Sequence, residues 1–240
     1  LYKVGKILIS SLIEKVIKKV TGKKEFILSK DVPLTYIIHF GSRFLIGLLR
    51  GKIRGIGITK GSKLFIGARV KIYCKNKLNF GDNVRIEDSV FINGLSKNGI
   101  VLGNRVKIGR GSEINCSGSL ANLGKGISIG DNSSFAENTY FGAAGGISIG
   151  GDVISGQNVR FHSENHNYQN SNVLIRLQGV NQKGIVVGNN VWIGSGVVFL
   201  DGSRIGDGCV IAANTVVKGE YSDNSVIAGV PSKFIKYRIG

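Results

Sequence analysis

From residue 60 onward the apolar positions fall on a beat of six. Val187, Ile193, Phe199, Ile205, Ile211 and Val217 form an unbroken series at that spacing. A second series, Val191, Val197, Ser203, Cys209 and Thr215, follows the first by four residues and is always small or β-branched. Neither the 3.6-residue period of a helix nor the alternation of a half-exposed strand produces this pattern. Between the two series lie Gly188-Asn189-Asn190, Gly194-Ser195-Gly196, Gly206-Asp207-Gly208 and Ala212-Ala213-Asn214. Most of these residue types accept the positive φ of a tight corner.

The same beat runs through Phe80, Ile86, Ile92; Leu102, Ile108, Ile114; Ile129, Phe135, Phe141; and Ile149, Ser155, Phe161. Each triple predicts three short strands bent at three corners, so that one triangular rung takes about 18 residues. Successive rungs stack as parallel strands roughly 4.8 Å apart, burying an aliphatic column and satisfying the backbone between neighbours. The triples start 22, 27, 20 and 38 residues apart, so the excess over one rung must bulge out at corners. The pattern predicts a mainly β chain with a parallel β-solenoid over residues 60–240. A loop protrudes at about 162–184, and Pro231 reads as a turn that returns a C-terminal tail across the coil.

Residues 1–59 read as a basic, amphipathic helical segment. Ile7, Leu8, Leu12, Ile13, Val16, Ile17 and Val20 make a helical stripe with Lys15, Lys18 and Lys19 opposite. Asp31-Val32-Pro33 signals a second helix start, and the apolar run continues to about Leu49. His39, Gly41, Ser42 and Arg43 interrupt that run, leaving it too short to span a bilayer. No small-residue cleavage site follows residues 7–13, so no secretory leader is expected.

Charge sharpens the division. Residues 1–60 hold 13 Lys and Arg against 3 acids, a large part of the formal charge of +17. The segment either caps the end of the solenoid or rests on the inner face of a membrane, which places the protein in the cytoplasm. No basic motif interleaved with aromatics points to nucleic acid. With 240 residues and 42% hydrophobic content the chain can bury a sizeable core. Cys74, Cys116 and Cys209 are odd in number, far apart and without metal-ligand spacing. They are expected to be reduced and mostly in the core.

Histidine is scarce. Two of only three, His162 and His166, open the long excursion in FHSENHNY, while His39 stands alone near the N-terminus. An imidazole suits the removal of a hydroxyl proton near neutral pH. Glu164 is close enough in sequence to fix its tautomer, or is a solvated loop acid.

The run IVVGNNVWIGSGVVFLDGSRIGDGCVIAANTVVKG and the ending SVIAGVPSKFIKYR strongly resemble the hexapeptide-repeat acyltransferases, in particular the sugar O-acetyltransferase branch, over about residues 60–238. The resemblance implies a left-handed parallel β-helix, although right-handed crossovers are the general rule for parallel strands. It also implies a homotrimer with acetyl-CoA bound between neighbouring subunits and no required metal. In that family the catalytic histidine stands five residues beyond the last hexad position, which is His166 after Phe161. His162 is then structural or an acceptor contact. Trp192 matches a tryptophan beside the acetyl end of the cosubstrate. Ser195 and Ala213 match corners that meet its pantetheine arm, and Lys218, Lys233 and Lys236 match basic positions near its phosphates.

Maltose and galactoside acetyltransferases carry an N-terminal cap and an asparagine that are missing here, where the aligned position is Ala136. The expected acceptor is therefore a sugar in a capsular, exopolysaccharide or O-antigen precursor, built on a lipid carrier, with direct attack by its hydroxyl. Alternatives are an antibiotic, serine or nucleotide-sugar amine as acceptor, acyl carrier protein as donor, a γ-type carbonic anhydrase, and a non-catalytic binding solenoid.

Overall fold

The computed structural model describes Glu14, Lys15, Lys18, residues 27–29 and residues 31–238. Glu14, Lys15 and Lys18 are helical, and the predicted apolar stripe, Ile7, Leu8, Leu12, Ile13, Val16, Ile17 and Val20, lies outside the described residues. The chain divides into a unit of residues 1–46 and a unit of residues 47–240.

In the first unit the helix Leu34–Arg54 begins directly after Pro33, as its start signal predicts. Tyr36 and Phe40 stack along it with ring centroids 6.4 Å apart, and Ile38 and Leu45 are exposed. The helix crosses into the second unit and runs past the expected end at Leu49 to Arg54. Glycine normally weakens a helix, but here it permits close packing. A Cβ at Gly47 would run into the Phe65 ring, and one at Gly51 into the Leu64 carbonyl. Arg54 Nη2 donates to the Val70 carbonyl at 2.5 Å, which ties the last turn to the first rung.

The second unit is a parallel coil with three faces. Its first rung consists of Thr59–Lys60, Phe65–Ile66 and Lys71–Tyr73. Each strand pairs in parallel with its counterpart one rung later, for example Ile127↔Ile147 and Ile147↔Ile185 on the first face. The hexad residues point inward. Phe141, Phe161 and Phe199 stack down the third face with centroids 5.1 and 4.5 Å apart, all fully buried. Phe135 meets Phe141 edge-on at 5.0 Å.

The corners explain the polar residues between the hexads. At the corner joining the first and second faces, a side chain of one rung accepts the backbone N–H of the rung before. Asp131 Oδ1 accepts from Asn104 N at 2.7 Å, Asn189 Oδ1 from Gly151 N at 2.8 Å, and Asp207 Oδ1 from Asn189 N at 2.6 Å. Asn104 holds the Asp131 carboxyl below its ordinary pKa, chiefly through its Nδ2, which donates to Asp131 Oδ2 at 3.0 Å, and then through its backbone N–H. The following residue takes positive φ, as at Asn132 and Asn190. The final rung carries Ser225–Ala228, on which Lys233–Tyr237 folds back antiparallel past Pro231.

Candidate active site

The long excursion leaves the coil at the corner between the third face of one rung and the first face of the next. The third-face strand Arg160–His162 leads in, and the first-face strand Ile185–Val187 leads out. A backbone crowding point forms the base: a Cβ at Gly145 would run into the Ser163 carbonyl, and Gly145 N donates to Ser163 Oγ at 2.9 Å. Ser163 is itself fully buried, with Oγ donating to the Gly142 carbonyl at 2.7 Å. Only a residue without a side chain at Gly145 allows this close approach.

Above that base the excursion is a short hairpin, in which Asn165–His166 pairs antiparallel with Val180–Asn181. Asn167 Nδ2 donates to the Gln178 carbonyl at 3.0 Å, and Gln178 Nε2 bonds the carbonyls of Asn170 and Val173. His166 therefore sits on ordered backbone, its side chain exposed. Glu164 takes a different partner from the one considered in the sequence. Its Oε2 accepts from Gln182 Nε2 across the hairpin, and no hydrogen bond joins it to His166. The Gln182 carbonyl in turn accepts from Lys125 Nζ at 3.0 Å, linking the hairpin to the neighbouring rung.

Beside the base, on the first face, lies a groove of about 330 Å³ lined by Lys125, Gly146, Ser148 and Lys183 among others. On the third face His162 is half-buried and faces outward next to Tyr140, ring centroids 5.5 Å apart. Burial, and then the nearby Arg160, hold the His162 imidazole below its ordinary pKa. The Tyr140 phenol is pushed up, first by burial and then by Glu113 and Glu164. Sequence reasoning passed over Tyr140, although its place before the inward Phe141 marks it as outward-facing.

The residues matched to cosubstrate binding lie on the second face and its neighbouring corner. Trp192 is 56% exposed, in register with Ile154 and Val210. Ser195 and Ala213 are exposed one rung apart at the corner joining the second and third faces, where Asn214 N donates to the Ser195 carbonyl at 2.8 Å. No bond engages the N–H of Ser195 or of Ala213 among the described residues, in contrast to the capped corner described above. That leaves two backbone donors without partners near an exposed indole. Lys218, Lys233 and Lys236 are exposed, and Ser232 brings the first two near each other by accepting from Lys218 N at 3.0 Å. Within this one chain the hairpin and the Trp192 face occupy different parts of the coil.

Cys116 and Cys209 are buried, and Cys74 is half-buried in the left-handed region. Burial pushes the Cys116 thiol up to about 12, so it is protonated at neutral pH and is a poor nucleophile. Among the described residues no group of three or more His, Cys, Asp or Glu is placed to hold a metal.

Residues 184–219 match the family model described as bacterial transferase hexapeptide (six repeats). That span carries the hexapeptide repeat. Relatives extend the match. WbbJ of Escherichia coli K12, a candidate lipopolysaccharide biosynthesis O-acetyl transferase, is 33% identical over 48% of this chain and 62% of its own length. The galactoside O-acetyltransferase of the same strain is 35% identical over 38% of this chain and 43% of its own. The chain thus spans less than two thirds of these relatives. Among solved structures, a point mutant of AntD, an N-acyltransferase from Bacillus cereus, in complex with dTDP and coenzyme A, is 18% identical with a TM-score of 0.55. That match covers 79% of this chain and 89% of AntD. The hexapeptide coil is a left-handed parallel β-helix, as the resemblance implied.

Proposed function

We propose that this hexapeptide-repeat protein transfers an acetyl group from acetyl-CoA to a sugar hydroxyl, with His166 as general base. The observation that carries the proposal is the place of His166. It is one of two histidines at the longest excursion from the coil among the described residues, held on an ordered hairpin and open to solvent. The names of the relatives, O-acetyltransferases acting on galactosides and in lipopolysaccharide biosynthesis, supply the reaction class.

In this reading the imidazole accepts the acceptor hydroxyl proton as the oxygen attacks the thioester carbonyl. The C–S bond then breaks, and the imidazolium returns its proton to the departing thiolate. Trp192 and the free N–H groups of Ser195 and Ala213 hold the acyl and pantetheine portions, and Lys218, Lys233 and Lys236 meet the phosphates. A fit of this kind is supported by the exposed indole and by the two corner donors left without partners. Because the hairpin and the Trp192 face are apart within one chain, the reading places the reaction at the seam between subunits of a homotrimer. Glu164 serves the hairpin through Gln182 and is not assigned a place at the base.

The acceptor is a glycan precursor on a lipid carrier. Supporting this, the helix Leu34–Arg54 exposes Ile38, Leu45, Leu49 and Ile53, with basic Lys52 beside them. The test is CoA release, followed with a thiol reagent, when the purified protein meets acetyl-CoA and a panel of sugars and glycolipids. The proposal expects release that depends on a hydroxylated sugar. No release with any of them would overturn it.

A further inference from the structure

The mechanism above leaves a cluster on the third face unused. Tyr140 and Arg160 pair in register on neighbouring rungs, as do Gly142 and His162, and Glu113 stands opposite Tyr140 on the other side. Gly142 has no side chain, and the Tyr140 ring folds into the space left there: a Cβ at Gly142 would lie 2.9 Å from Tyr140 Cε1 and 3.2 Å from its hydroxyl oxygen. The phenol consequently lies along the coil surface, with the His162 ring tilted by 40° at a centroid distance of 5.5 Å. Both rings are half-buried, and neither the Tyr140 hydroxyl nor the His162 imidazole has a hydrogen-bond partner among the described residues. Neither the phenol oxygen nor the ring nitrogens are among the buried unpartnered atoms, so their polar ends stay open to a ligand.

From this geometry we infer that Tyr140 and His162 form a platform that binds the acceptor sugar, with Glu113 and Glu164 at its edge. Aromatic faces cover the C–H surface of a pyranose, while carboxylates and ring nitrogens take up its hydroxyls. Two carboxylates and the single cation Arg160 suit a neutral, hydroxyl-rich ligand better than an anion. His162 ends the strand that leads into the excursion, and His166 follows four residues later. A sugar resting on the platform would therefore lie at the foot of the hairpin that carries the base.

The inference rests on the proposed sugar acetylation, and the experiment separates the two. Steady-state kinetics would compare wild type with Tyr140→Ala, Tyr140→Phe and His162→Ala, varying acceptor and acetyl-CoA in turn. A platform predicts an acceptor KM raised by about tenfold in the two alanine variants, and an acetyl-CoA KM changed less than about twofold. Tyr140→Phe keeps the ring, so its acceptor KM should lie between those of wild type and Tyr140→Ala. Unchanged acceptor KM in both alanine variants would overturn the inference. So would a change in molecular mass by light scattering, which would assign the cluster to a contact between copies of the chain. If wild type transfers no acetyl group, the proposed function fails, and ligand-observed NMR with an oligosaccharide panel reads the platform alone. Binding lost in Tyr140→Ala would support it; equal binding, or none in wild type, would overturn it.

Discussion

His162 illustrates how a single position couples environment to stability. Because burial holds its folded-state pKa below the ordinary 6.5, the folded protein takes up the proton less readily than the unfolded chain. The neutral ring's contribution is fully present above the unfolded value and is lost as pH falls through the folded one. Urea unfolding midpoints should drop between about pH 7 and pH 5 more steeply in wild type than in His162→Gln, and equal slopes would contradict the reading. Gly145 makes a second residue-scale case. Gly145→Ala would force its Cβ into the Ser163 carbonyl at the foot of the hairpin. Thermal unfolding should show a loss of about 1–3 kcal/mol, the usual cost of overpacking. Not all of this was readable beforehand. His166 stood out because histidine is scarce, whereas the partner of Glu164 lies 18 residues away, at Gln182, with no local pattern to announce it.

Among the elements, the third-face stack and the N-terminal helix make separate commitments. Phe161 is sandwiched between Phe141 and Phe199 and meets Phe135 edge-on, so Phe161→Ala removes three ring contacts and opens a cavity in the spine. Its expected cost is about 3–5 kcal/mol, read from denaturant unfolding. The helix was legible at its start, where Pro33 fixes the first turn, but not at its end. The apolar run fades near Leu49, and the fit of Gly51 against the Leu64 carbonyl, which lets the helix continue to Arg54, appears only once the coil is folded. On its exposed side, Leu49→Ser with Ile53→Ser should lower sedimentation with vesicles containing anionic lipid, and Lys52→Glu should lower it further. Binding unaffected by all three would remove the membrane from the account.

For the molecule as a whole, the hexad period alone located the inward residue of nearly every strand. A solenoid needs only nearest-neighbour contacts, so its pattern is written locally and repeats. Handedness was not legible in that way and came from the family resemblance. Nor was the proposed site, which on our reading joins Trp192 of one copy to His166 of another. Light scattering should therefore give three times the chain mass of 25.7 kDa. The most direct test of the central claim is the rate of acetyl transfer by His166→Ala beside wild type at saturating acetyl-CoA. The account predicts a fall in kcat of about 10²–10⁴-fold, the span of a lost general base, with acetyl-CoA binding retained. A variant that acetylates the sugar at the wild-type rate would contradict it.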